Sequence, residues 1–265
     1  MGKFEGIYFF TDMDGTLITS DFTIPQRNVD AIKYFTENGG HFAFATGRGR
    51  HTTTMKHMEE LGVNFPCIMI NGSLVFDPVA KQAVDVMFLD DEQGRTLLNS
   101  IYEKFSDRYV ITTWLKDRAV HYGVENPAFR NVEFAKPHEM TERIVKIVFG
   151  HPSGIAAEDA AFVRNIVGDK LYVTNASERF FEIMPIGMSK GCRLEWIIEH
   201  YSLERENVIA MGDYFNDLEM LSVKGIRAFC PSNAHDDIKK VCERTLCHVN
   251  DGAIADAIEL LDNER

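Results

Sequence analysis

Four short apolar runs along the chain each stop abruptly at a polar residue or a glycine: GIYFFTD, HFAFATG, PCIMING and NVIAMGD. Unbroken runs of this length suit strands buried on both faces, as in a parallel sheet. Amphipathic stretches lie between them. PQRNVDAIKYFTENGG opens on Pro25 and is followed by Gly39 and Gly40, which frames a helix. MSKGCRLEWIIEHYS and NDLEMLSVKG read the same way. Strand and helix in alternation predict an α/β fold with a doubly wound, Rossmann-like parallel sheet.

The pattern changes between Val84 and Pro185. YVITTWL and AVHYGV flank KDR and predict a hairpin; KLYVTNAS and FFEIMP meet around Glu178 and Arg179 and predict another. RIVKIVFG adds a strand, and DEQGRTLLNSIYEKF and GIAAEDAAFVRNIVG are helical. These elements predict a smaller α+β unit, residues 84–186, inserted into a core made of residues 1–83 and 187–265. No tandem repeat or low-complexity segment interrupts this plan.

Composition narrows the function. The chain has 265 residues, 45% of them hydrophobic, so a sizeable core can form. A net charge of −12 argues against a nucleic-acid or anionic-membrane surface, which needs a basic footprint. A small anionic substrate remains compatible if a few cations are concentrated locally. No apolar run approaches the roughly 20 residues of a membrane span. MGKFEG lacks the build of a signal peptide, and Gly6 stands where a myristoylation signal needs Ser or Thr. A soluble, cytoplasmic protein is expected. The five cysteines are scattered; Cys242, Cys247 and His248 match no standard zinc spacing, so reduced thiols are the plain reading.

The candidate chemistry lies where the predicted strands end, which is where open α/β sheets bind ligands. DMDGT, ATGR, the pair Asn71 and Gly72, and GDYFND all fall there. Asp12 and Asp14 would meet Asp213 and Asp217. Like charges gathered in a cleft raise one another's pKa, and a divalent cation removes the conflict. Hard oxygen ligands select magnesium. Lys190 at a helix start, the Thr46 hydroxyl and the Gly47 amide make an anion cradle. A phosphate dianion ~4 Å from one carboxylate is repelled by about 8 kcal/mol at an effective dielectric near 20. Magnesium and Lys190 would bring three positive charges and reverse that sign. The combination points to phosphoryl transfer. TGRGRH lacks the third glycine of a dinucleotide fingerprint. Taken singly, Asp12 and Asp14 could form a turn, Lys190 could be solvated, and Asp213 and Asp217 could cap a helix; their joint occurrence weighs against these readings.

DMDGTL, TGR, SKG and GDYFND, in this order, resemble the four signatures of the haloacid dehalogenase superfamily, and the insert resembles the α/β (C2) cap of its Cof-type phosphatases. The resemblance covers essentially the whole chain. It implies that Asp12 is the nucleophile that becomes an aspartyl phosphate, and that Asp14 protonates the leaving oxygen and then activates water. It places a magnesium ion on the Asp12 carboxylate, the Asp14 main-chain oxygen and Asp213, with Asn216 and Asp217 completing or bracing that site. Thr46, Gly47 and Lys190 would hold the phosphoryl group, and Arg48, Asn71, Gly72, Asn216 and Asn233 would touch phosphate or substrate. It implies a cap that covers the cleft, opens and closes, and sets leaving-group preference.

The expected partner is a small phosphorylated metabolite (a sugar phosphate, a nucleotide or a phosphorylated cofactor), with no nucleic acid or membrane, and the protein is expected as a monomer or small homo-oligomer. Two departures, Tyr214 after the fourth-signature Asp and Ser232 in SNA, bear on substrate identity more than on chemistry. Alternatives are a phosphomutase using the same intermediate, a signalling receiver and a catalytically silent phospho-ligand-binding protein. Release of free phosphate, a stable phosphoprotein, and binding without turnover tell these apart.

Overall fold

The computed structural model describes residues 2–123, 136–177 and 179–264. The expected hairpin residue Glu178 lies outside them. The chain divides into two compact units: Met1–Asp85 with Ser189–Arg265, and Val86–Met188.

The elements in chain order are β1 (Tyr8–Thr11), α1 (Gln26–Glu37), β2 (His41–Phe44), α2 (Thr52–Glu60), β3 (Cys67–Met69), β4 (Leu74–Asp77) and β5 (Gln82–Val86). The second unit then supplies α3 (Asp91–Phe105), β6 (Val110–Trp114), β7 (Ala119–Gly123), β8 (Lys146–Gly150), α4 (Ala157–Val167), β9 (Leu171–Ser177) and β10 (Phe180–Pro185). The chain returns to the first unit through α5 (Lys190–His200), β11 (Val208–Met211), α6 (Leu218–Leu221), β12 (Arg227–Pro231), α7 (Asp236–Lys239), β13 (Arg244–Leu246) and α8 (Ala253–Asn263). No described helix is long and apolar enough to cross a membrane.

The first unit is built on a parallel sheet of order β13-β12-β11-β1-β2. β1 sits between β11 and β2, with Phe10 in register with Ala210 on one side and Ala43 on the other. Strand order reverses at β1, so its carboxyl end is a switch point of the kind that opens a ligand crevice. Phe9, Phe10, Phe42, Phe44, Ile209 and Met211 are fully buried. Both faces of these strands are therefore covered, which is why their apolar runs do not alternate. α1 packs on α8, burying Ile32 and Phe35 from one helix and Ile254, Ile258 and Leu261 from the other.

PCIMING departs from the expected pattern. Its strand β3 makes an isolated parallel bridge, Ile68 to Ala45, and then pairs antiparallel with β4 in a separate sheet of order β3-β4-β5. The cause is the turn that follows. Ile70, Asn71 and Gly72 have φ of 52°, 51° and 103°, which reverses the chain at once. Left-handed backbone costs a non-glycine residue about 1–2 kcal/mol, so this turn persists only if its surroundings hold it.

The second unit is an antiparallel sheet, β7-β6-β8-β10-β9, with two helices on one face. Ile111, Ile147, Phe149, Phe181 and Ile183 form that face. They pack with Leu97, Leu98, Ile101 and Phe105 of α3 and Val163 and Val167 of α4. The other face carries buried polar groups: Lys146 Nζ donates to Glu182 Oε1 at 2.7 Å, and Thr112 Oγ1 lies 2.8 Å from His121 Nδ1.

Candidate active site

Asp12 is the first residue past β1, and its amide extends the ladder by donating to the Met211 carbonyl at 2.8 Å. The chain then turns tightly. Gly15 N donates to Ile18 O at 2.9 Å and Ile18 N to Met13 O at 2.7 Å. Gly15 is required twice over. Its φ is +84°, and a Cβ there would lie 2.5 Å from an oxygen of the Asp213 carboxylate. Thr16 Oγ1 donates to Asp213 Oδ1 at 2.8 Å, so the first loop grips the last signature directly. Asn233 supports the loop from behind: its Nδ2 donates to Gly15 O at 2.8 Å, and its Oδ1 accepts from Val249 N at 2.9 Å.

After β11, a one-turn bend folds Asp217 back beneath Asp213. Asp217 Oδ2 accepts from the amides of Asp213 and Tyr214 at 3.1 and 3.3 Å. Gly212 makes room, because a Cβ there would meet the Asp217 side chain at 2.4 Å. Asn216 is exposed in the same bend.

α5 delivers the cation. Ser189 caps it, its hydroxyl accepting from Cys192 N at 3.0 Å, and Lys190 is its first residue. Lys190 is fully buried, and its Nζ donates to Asp12 Oδ1 and Asp217 Oδ1, both at 2.6 Å. A helix start disfavours an ammonium group, so these two carboxylates must hold it there. α5 also presses against α6 at Gly191, where a Cβ would come within 2.5 Å of the Glu219 carbonyl carbon.

One oxygen from each of Asp12, Asp213 and Asp217 falls within 4.8 Å of the others. Burial pushes Asp12 well above the usual carboxylate range; Lys190 opposes this, and the charges of Asp217 and Asp213 add to it. Asp213 is pushed up to about 6, by burial first and then by Asp217. Burial alone would lower Lys190, but Asp12 and Asp217 outweigh it and raise its pKa. Three carboxylates against one ammonium leave a surplus of two negative charges. An all-oxygen donor set with that surplus fits a hard divalent cation. Asp217 has both oxygens engaged by Lys190 and the two amides.

The facing wall follows β2. The Thr46 amide donates to Ile68 O at 2.8 Å, and its hydroxyl accepts from Arg48 N at 3.1 Å. The turn after β3 is laced to this loop: Ile70 N donates to Arg48 O at 3.1 Å and Asn71 N to Thr46 O at 3.0 Å. A Cβ on Gly47 would lie 3.1 Å from Asn71 Oδ1, which puts the Asn71 amide against the Gly47 backbone. Arg48 clasps Asp14 with two donors, Nε to Oδ2 at 2.8 Å and Nη2 to Oδ1. The Asp14 side chain is 55% exposed despite this pairing.

Asp12, Lys190, Asp213 and Asp217 thus meet directly, Asp14 is joined to Arg48, and Asn71 is set against Thr46 and Gly47. Gly72 points its carbonyl elsewhere, accepting from Arg193 Nε at 2.7 Å. The contacts of Asn233 go to the loop backbone. Sequence reasoning did not single out Arg193, whose Nη1 also donates to Asp85 Oδ2 at 2.5 Å. A signal existed: Arg193 falls on the buried face of α5 with Lys190, Leu194 and Ile197. A cation at such a position calls for buried acceptors.

A family model described as haloacid dehalogenase-like hydrolase matches residues 9–258. The chain is 27% identical to the 5-amino-6-(5-phospho-D-ribitylamino)uracil phosphatase YitU of Bacillus subtilis, over 92% of this chain and 93% of that protein. It is 25% identical to an HMP-PP phosphatase of Klebsiella pneumoniae, over 86% of this chain and 85% of that one. Among solved structures, a haloacid dehalogenase-like hydrolase from Bacteroides thetaiotaomicron shares the fold with a TM-score of 0.83 at 22% identity, covering 97% of this chain and 100% of that one.

Proposed function

This chain belongs to the haloacid dehalogenase-like hydrolase family, and from that premise we propose that it is a magnesium-dependent phosphatase acting on a small phosphomonoester through an aspartyl phosphate on Asp12. The observation that carries this reading is the Lys190 ammonium shared between Asp12 and Asp217, with Asp213 beside them. A carboxylate held that way keeps one oxygen on the lysine and has its other for attack on phosphorus.

Magnesium would be held by the Asp12 carboxylate, the Asp14 main-chain oxygen and Asp213, and when bound it would neutralise charge on the phosphoryl oxygens. Asp217 braces this arrangement, since its oxygens already serve Lys190 and two amides. Lys190, the Thr46 hydroxyl, the Gly47 amide and Asn71 receive the phosphoryl group. Asp12 attacks phosphorus while the bond to the leaving oxygen breaks, and Asp14 gives that oxygen its proton. Water then attacks the aspartyl phosphate, Asp14 takes the proton back, and inorganic phosphate leaves with Asp12 restored. Both Asp14 oxygens accept from Arg48 in the resting arrangement, so Asp14 leaves that clasp to carry the proton in these events. The inserted unit supplies leaving-group recognition. A phosphorylated metabolite of the general size named for the Bacillus subtilis relative is the substrate class.

The test is phosphate release from 4-nitrophenyl phosphate and a panel of phosphorylated metabolites, with and without magnesium. Hydrolysis should require magnesium, and Asp12→Asn should fall to background, a loss of at least about 10³-fold for removal of a nucleophile. Turnover retained in Asp12→Asn would remove Asp12 from the role assigned to it.

A further inference from the structure

Arg193 lies outside the phosphoryl pocket, one helical turn along α5 from Lys190, yet it is 3% exposed and bonds segments distant in the sequence. Its Nε donates to Gly72 O at 2.7 Å and its Nη1 to Asp85 Oδ2 at 2.5 Å. Gly72 closes the turn in which three successive residues have positive φ, and Asn71 stands in the middle of it. Two of that turn's supports come from the phosphate loop itself, the carbonyls of Arg48 and Thr46. The bond from Arg193 comes from α5, the helix that carries Lys190. Gly72 is also seated on the start of that helix, since a Cβ there would lie 2.3 Å from Ser189 O. Asp85 neutralises the buried guanidinium and fixes it from its far side.

We propose that Arg193 is a positioning residue for phosphate binding: by holding the Gly72 carbonyl on α5, it keeps the strained turn in the one conformation that sets Asn71 against Thr46 and Gly47. This rests on the reading of the site as a phosphoryl pocket. The bond to Gly72 ties Arg193 to the turn that carries Asn71, so its effect falls on affinity for the phosphoryl group. Nucleophile geometry is set separately, by Lys190 and Asp217.

The experiment compares Arg193→Met, Arg193→Lys, Asn71→Ala and the Arg193→Met/Asn71→Ala double variant with the unaltered protein. Three quantities are read: calorimetric affinity for inorganic phosphate with magnesium present, KM and kcat on 4-nitrophenyl phosphate, and the thermal midpoint. Arg193→Met should weaken phosphate and raise KM about tenfold, the weight of one charge-assisted hydrogen bond, with a smaller change in kcat. Arg193→Lys keeps one donor and should recover part of the loss. The double variant should bind phosphate no worse than Asn71→Ala alone, because Arg193 acts through Asn71.

A lower thermal midpoint with unchanged phosphate affinity overturns the proposal, as do fully additive losses in the double variant. If Arg193→Met does not fold, Arg193→Lys decides the question by the same comparison. Phosphate binding without turnover in the unaltered protein would remove the hydrolase reading, while the affinity ratios would still judge Arg193. No phosphate binding at all would remove both.

Discussion

At the scale of the residue, each acidic group in the pocket has its own surroundings and hence its own task. Asp213 is reached by Thr16 and crowded by Gly15, while Asp217 is enclosed by Lys190 and two backbone amides. Substituting the two should therefore give different results. Asp213→Asn should lower magnesium affinity by more than about tenfold, since it removes a charged ligand. Asp217→Asn should chiefly cost stability, about 2 kcal/mol for a hydrogen bond to a charged group, with the smaller effect on magnesium. Calorimetric magnesium titration and urea denaturation of both variants check this; the reverse order would make Asp217 the ligand. Much at this scale was legible in the sequence. Asp12, Asp14, Lys190, Asp213 and Asp217 were picked out together, because four carboxylates and a lysine at predicted strand and helix ends have no comfortable separate explanation. Asn233 was picked out too, for contact with phosphate or substrate, and its amide also bonds the Gly15 and Val249 backbone. Which atom an amide side chain bonds is set by loop packing that a single sequence does not display.

At the scale of the element, glycines mark where backbones touch. Gly191 lets α5 rest on α6, and Lys190 rides on that contact. Gly191→Ala should destabilise the protein by about 2 kcal/mol through overpacking and lower kcat with it, read by denaturation and by initial rates. A stable variant with full activity would mean that α5 can shift without consequence. Elements with strong apolar runs, such as β1, β2 and β11, were readable from the sequence, as were α1 and both hairpins of the inserted unit. β3 was readable as a strand but not in its place. Ile70 gives no hint of left-handed backbone, so the reversal into β4 was hidden. The buried Lys146–Glu182 pair was hidden too, because alternation predicts one polar face without saying that it is buried.

At the scale of the whole molecule, the pocket's charge surplus couples the fold to pH and to metal. Asp213 rises from the ordinary 3.8 to about 6 on folding, and Asp12 moves the same way. The folded chain therefore holds more protons than the unfolded chain between these values, and linkage makes stability fall as pH rises through that window. A bound cation displaces those protons and offsets the repulsion. Without metal, the thermal midpoint should decline from about pH 4 to pH 6 on account of these groups, and magnesium should raise it more at pH 7 than at pH 5. Scans with magnesium or with chelator across that range check this, and an increment independent of pH would detach the ion from the carboxylates. The sequence places an inserted unit at residues 84–186 because its strands pair locally as hairpins, and the structure has a compact unit at Val86–Met188.

Lys190 reaches from the start of α5 to the residue after β1 and to the bend after β11. One side chain therefore ties together three segments that lie far apart along the chain. Withdrawing it would unfasten all three in a single step.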